Sequence, residues 1–123
     1  MSRDHVQLID CRIRIRAEGH DAITAAVGES SARTFDDAEE ALGATDDYIV
    51  VETNEAGDIT GLERDSYDDS LAGRDVWDAI APWVDADDYL AYRETWDESA
   101  YRVRFDGRGG YTTERGRMVY GAA

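Results

Sequence analysis

Catalysis and metal binding need nucleophiles, bases or ligands held at fixed spacing, and this sequence offers few. Its only histidines are His5 and His20, and its only cysteine is Cys11. None of these stands at a spacing that would place two ligands on one zinc ion. His20 and Asp21 could be a base and its orienting carboxylate, but neighbouring residues on a helix point in different directions, so a surface helix start is the better reading. Cys11 falls on the apolar side of an alternating segment, where a thiol behaves as a small, inert hydrophobe. Asp85, Asp87 and Asp88 crowd three carboxylates together without the regular spacing and closing glutamate of a calcium loop, and read as the solvated start of a helix. Gly107-Arg108-Gly109-Gly110 has the composition of a phosphate loop. It lacks the following Lys-Ser/Thr and the strand-to-helix context, so a hairpin turn is expected. With 28 acids in 123 residues, no single carboxylate pair stands out for acid–base work. The expectation is a protein without catalytic residues, metal or cofactor.

The charge is the more informative feature. The chain carries 28 acidic and 13 basic residues, net −15, and every basic residue is an arginine. Residues 1–34 hold five acids and five arginines. Residues 35–99 hold 21 acids against Arg64, Arg74 and Arg93, whereas residues 100–123 hold Asp106 and Glu114 against five arginines. A uniform acidic coat for solubility in concentrated salt does not predict that division. Binding residues are therefore expected in the central segment: Asp68, Asp69, Asp75, Asp78, Asp85, Asp87 and Asp88, with Trp83 or Tyr89 as an aromatic anchor. Trp77 and Trp96 complete the tryptophans, and burial under helices is their ordinary fate.

These residues need a scaffold, and the periodicity predicts an α+β one. Ile9 to Arg16 alternates, with Ile9, Cys11, Ile13 and Ile15 on one face and Asp10, Arg12, Arg14 and Arg16 on the other, as in a half-buried strand. Asp21 is expected to cap a short helix ended by Gly28, and Thr34 a second one ended by Gly43. Tyr48–Thr53 and Ile59–Glu63 flank the turn Asn54–Asp58 as a hairpin. Asp75–Val84 is helical until Pro82 interrupts it, and Asp85 begins a further helix through Tyr89, Leu90, Tyr92 and Trp96. Tyr101–Phe105 and Tyr111–Tyr120 form a closing hairpin. The order β-α-β-β-α-β plus one extra C-terminal strand is the split βαβ pattern of ferredoxin-like folds, an antiparallel sheet with helices on one face. That plan puts Arg12, Arg14 and Arg16 beside Arg102 and Arg104. One domain, residues 1–123, accounts for the length.

Two resemblances bear on function. Residues 48–98, with Asn54-Glu55-Ala56-Gly57-Asp58-Ile59 at a strand turn followed by Leu71-Ala72-Gly73-Arg74-Asp75-Val76-Trp77-Asp78 and Ala81-Pro82-Trp83, resemble the first half of a PAS domain. This implies a sensory, ligand-binding alternative. In size, acidity and want of a catalytic constellation the chain resembles, by type and not by motif, small acidic phage or plasmid inhibitors such as anti-CRISPR and anti-restriction proteins. That likeness implies a non-enzymatic, viral DNA mimic that blocks the basic nucleic-acid-binding surface of a host protein. Direct nucleic-acid binding is disfavoured by the net charge. A halophile's housekeeping protein, acidic only for salt, is a further alternative. No apolar run approaches the ~18 residues of a membrane span. The opening Met-Ser-Arg-Asp-His has no signal-peptide pattern, so a cytoplasmic location is expected.

Overall fold

A computed structural model describes residues 6–66, 74–94 and 99–117. Six strands, β1 (Val6–Arg12), β2 (Tyr48–Thr53), β3 (Ile59–Ser66), β4 (Tyr89–Glu94), β5 (Ser99–Phe105) and β6 (Tyr111–Arg117), accompany three helices, α1 (His20–Ser31), α2 (Ala38–Asp46) and α3 (Arg74–Ile80). β1, β4, β5 and β6 form a four-stranded antiparallel sheet and β2–β3 a two-stranded one. The two join where Val6 and Gln7 pair with Ser66 and Asp65, giving the order β2-β3-β1-β4-β5-β6. The molecule is α+β, and no described helix is long and apolar enough to cross a membrane.

Several elements depart from the sequence expectation for physical reasons. β1 ends at Arg12, although Ile13 and Ile15 stay buried and Ile15 bridges both Ile59 and Val84. A bulge between Leu8 and Asp10 turns Ile9 outward, to 40% exposure, which breaks the expected Ile9–Ile15 face. α1 is capped by Gly19 and not by Asp21. It runs through Gly28, where a Cβ would lie 2.7 Å from the Arg33 carbonyl oxygen, and closes with Ala32 in the left-handed region. The N-cap of α2 is Asp37 rather than Thr34: its carboxylate accepts from the Glu40 N–H at 2.8 Å, while Glu40 accepts from the Asp36 N–H. α2 passes Gly43 and closes at Asp47.

The largest correction is at Asp85. No helix starts there: residues 85–88 turn, with Asp87 at φ 70°, and Tyr89–Glu94 is a strand. Leu90 and Tyr92 face the core, and the strand gains a ladder on each side, from β1 and from β5. Among the described residues three strands thus follow α3, one more than the sequence suggested. The first strand lies beside the fourth, but that fourth strand is β4, so Arg12 and Arg104 flank Tyr89 from opposite sides instead of adjoining. Trp96 lies outside the described residues.

α1 packs on α2 and α3, and α2 on β2. Under α3, Trp77 meets Tyr92, Tyr101 and Tyr111 at ring separations of 5.8, 6.4 and 5.8 Å. Its indole N–H donates to the hydroxyls of Tyr92 (3.0 Å) and Tyr48 (3.3 Å), which also hydrogen-bond each other. Buried Arg64 stacks over Tyr48 and donates to the Val6 carbonyl. The polar atoms of large aromatics are thereby satisfied inside the core.

Candidate functional site

The expected acidic residues among those described fall in two places. Asp85 sits in the turn before β4 and pairs with Arg16 at 2.9 Å and Arg14 at 3.3 Å. Asp88 accepts from the backbone N–H of Arg14 at 3.1 Å, and burial raises its carboxyl above the usual range against the opposing effect of that bond. Asp87 is exposed, and its backbone N–H donates to the Phe105 carbonyl. This turn is thus clamped to the loop after β1 and to the end of β5, with its charge partly neutralised by two arginines. Asp75 and Asp78 stand exposed on α3, where Asp78 accepts from the Tyr111 hydroxyl at 2.6 Å. Burial, then that hydrogen bond, push the Tyr111 phenol up to about 12. Asp68 and Asp69 lie outside the described residues.

Both expected anchors are partly exposed. Trp83 is half-buried, its ring seated where a Cβ on Gly19 would fall 2.1 Å from Cδ2. Tyr89 lies on the uncovered sheet face, donating to Asp10 at 2.8 Å beneath the Arg102 guanidinium. The Asp10 bond raises its phenol above the ordinary value. Trp77 is core, at 1% exposure.

A denser and less compensated acidic surface lies on α1 and α2. Residues 17–47 carry nine carboxylates and one arginine, Arg33. Asp21, Glu29, Asp36, Asp37, Glu39 and Glu40 are all exposed, and none pairs with an arginine. Arg33 forms no ion pair with them; it stacks on Phe35 and donates to the Ala44 carbonyl. Two clefts run along this layer. One of about 490 Å³ lies between α1 and the loop after it, lined by Asp21, Glu29, Arg33 and Phe35 among others. The other, of about 210 Å³, is lined by His20, Asp21, Asp37, Glu39, Val50 and Thr53. Asp21 borders both.

This surface was hidden in the sequence by averaging. Asp21 and Glu29 fall in the first 34 residues, whose net charge is zero because Arg12, Arg14 and Arg16 balance them on paper. In space Arg14 pairs with Asp85, Arg16 with Asp85 and Glu18, and Arg12 lies on the sheet.

The remaining chemistry is sparse. Cys11 is half-buried, its thiol 3.8 Å from the Leu62 carbonyl. The His20 carbonyl accepts from the Thr24 hydroxyl, and the His20 Nε2 is buried without a hydrogen-bond partner. Among the described residues no group of three or more His, Cys, Asp or Glu side chains is placed to hold a metal ion. Asp106 accepts from the N–H groups of Arg108 and Gly110 and is held below the usual carboxylate range by them, so residues 107–110 form a turn around that carboxylate. The chain matches no protein-family model, no curated protein and no solved structure.

Proposed function

We propose that this chain is a non-enzymatic binding protein whose acidic α1–α2 layer docks on a cationic surface of a partner protein, of the kind lined with Lys and Arg for nucleic acid. The observation that carries the reading is the contrast between two sets of acids. Asp85 has arginine partners within the molecule, whereas Asp21, Glu29, Asp37 and Glu39 have none. Like charges held together without compensation repel one another and destabilise the fold. A Lys/Arg-lined surface relieves that repulsion on docking and is attracted from a distance. On this reading the binding surface is α1–α2: Asp37 and Glu39 belong to the acid-rich segment 35–99, Asp21 and Glu29 lie before it in the chain, and Asp75 and Asp87 are further exposed acids of that segment. An inhibitor of the DNA-mimic type, as in anti-restriction and anti-CRISPR proteins, is the activity such a surface would serve. The order β2-β3-β1-β4 supports a ferredoxin-like split βαβ plan for the scaffold, extended by β5 and β6.

The test is affinity capture from a bacterial lysate with duplex DNA as competitor. The expected result is a nucleic-acid-binding protein that DNA displaces and that a Glu29→Arg, Glu39→Arg variant no longer captures. Capture unaffected by both DNA and charge reversal would refute the reading. Salt provides the second arm: binding should weaken as salt rises, with the protein folded throughout. A chain that unfolds below molar salt would instead mark its acidity as adaptation to concentrated salt.

A further inference from the structure

Among the described residues the exposed large aliphatic side chains are Ile9, Ile49 and Val51, at 40%, 58% and 52% exposure. Their strand neighbours Leu8, Cys11, Tyr48 and Val50 pack against the core, so these three project from the opposite, uncovered side of the sheet. That side also holds a shallow groove of about 350 Å³, floored by Ala91 and Ala100 and bordered by Ile9, Arg102 and Glu114. We propose that this open sheet face is the contact surface of a symmetric dimer of the chain.

Three features support a second copy as the occupant. First, a raised isoleucine beside a depression floored by two alanines is self-complementary: under a two-fold axis, Ile9 of each copy can enter the groove of the other. Second, signs alternate on this face. Glu114 sits between Arg102 and Arg104, at 3.1 and 3.5 Å, and Asp10 is held by Tyr89. Charge on this face is therefore largely neutralised within each copy, so two such faces can meet without opposing unpaired carboxylates. Third, two bodies of net charge −15 repel wherever acid meets acid, which excludes the α1–α2 layer as a self-contact. The sheet face combines apolar surface with balanced charge, which self-association requires.

This inference does not rest on the acidic layer's partner, and salt separates the two. Screening removes the repulsion between copies while leaving apolar burial intact, so the dimer should tighten as salt rises, opposite to docking on a cationic protein. Sedimentation equilibrium of the full chain over a salt series is the experiment. It is expected to give twice the 13.7 kDa of one chain, increasingly so at higher salt. Ile9→Arg with Ala100→Arg should raise the dissociation constant about tenfold or more with circular dichroism unchanged, and Glu39→Gln should not raise it. If the double variant loses its fold, Ile49→Arg on the exposed edge strand carries the same expectation. The single-chain mass at every salt up to millimolar protein, or a dimer indifferent to these arginines, would overturn the proposal.

Discussion

Trp77, Tyr48 and Tyr92 share three polar atoms in a space closed to water, so each hydrogen bond there is unusually costly to remove. Tyr92→Phe deletes the hydroxyl that both partners use and is expected to destabilise the protein by about 1–3 kcal/mol, measured by urea unfolding. Burial, chiefly, drives the Tyr92 phenol well above its ordinary value. Because the folded value is the raised one, the stability linked to neutral Tyr92 is complete below about pH 10 and falls as the unfolded chain ionises above it. Phenolate absorbance should accordingly show this tyrosine titrating together with unfolding. Asp58 works in the opposite direction. The Ala17 N–H, then the Asn54 amide, hold its carboxyl below the usual range. Its contribution is present above about pH 4 and is lost as pH falls through the lower folded value. Asp58→Asn should lower stability at neutral pH and flatten the acid limb of the profile.

At the scale of elements, close approach and capping decide where the chain turns. Gly19 admits the Trp83 ring into the space a Cβ would occupy, so Gly19→Ala should cost about 1–3 kcal/mol through forced displacement of an indole. Asp37→Ala removes the α2 cap and should cost about 1 kcal/mol, read in the same unfolding assay. The hairpins β2–β3 and β5–β6 were legible because alternation and turn residues are local signals; Asn54, for one, bonds Asp58 through both its side chain and its backbone. β4 was not legible. Tyr-Leu-Ala-Tyr-Arg suits a helix or a strand, and the choice is made by ladders to β1 and β5, which no local window contains. The α1 boundary failed for a related reason: Gly28 serves the approach of Arg33 and not the end of a helix. The acids of the candidate site could be counted in the sequence, but their pairing could not. Whether an aspartate is neutralised depends on residues such as Arg14 and Asp85, which only the sheet brings together.

At the scale of the whole molecule, charge is segregated by layer. The helices carry uncompensated acid and the sheet face a mixed pattern in which Glu114 holds two arginines. Glu39→Gln with Glu40→Gln should therefore raise the melting temperature at low salt by reducing repulsion, with the gain fading as salt screens it. Loss of the Glu40 contact to the Asp36 N–H works against that gain and can be isolated by testing Glu39→Gln alone.

The central position of β1 has a kinetic consequence. β1 pairs with β3 and β4, which both lie later in the chain, and Ile15 is held between Ile59 and Val84. During synthesis Val6 through Ile15 therefore have no sheet partner until Ile59 has followed, and β4 is complete only at Glu94. At about 5–20 residues per second that is a wait of seconds with apolar strand exposed. Contacts of such sequence separation also place refolding toward the slow end for domains of this size. The Ile15 amide, bonded to the Ile59 carbonyl at 2.8 Å, should be among the last to gain protection from exchange as the chain refolds.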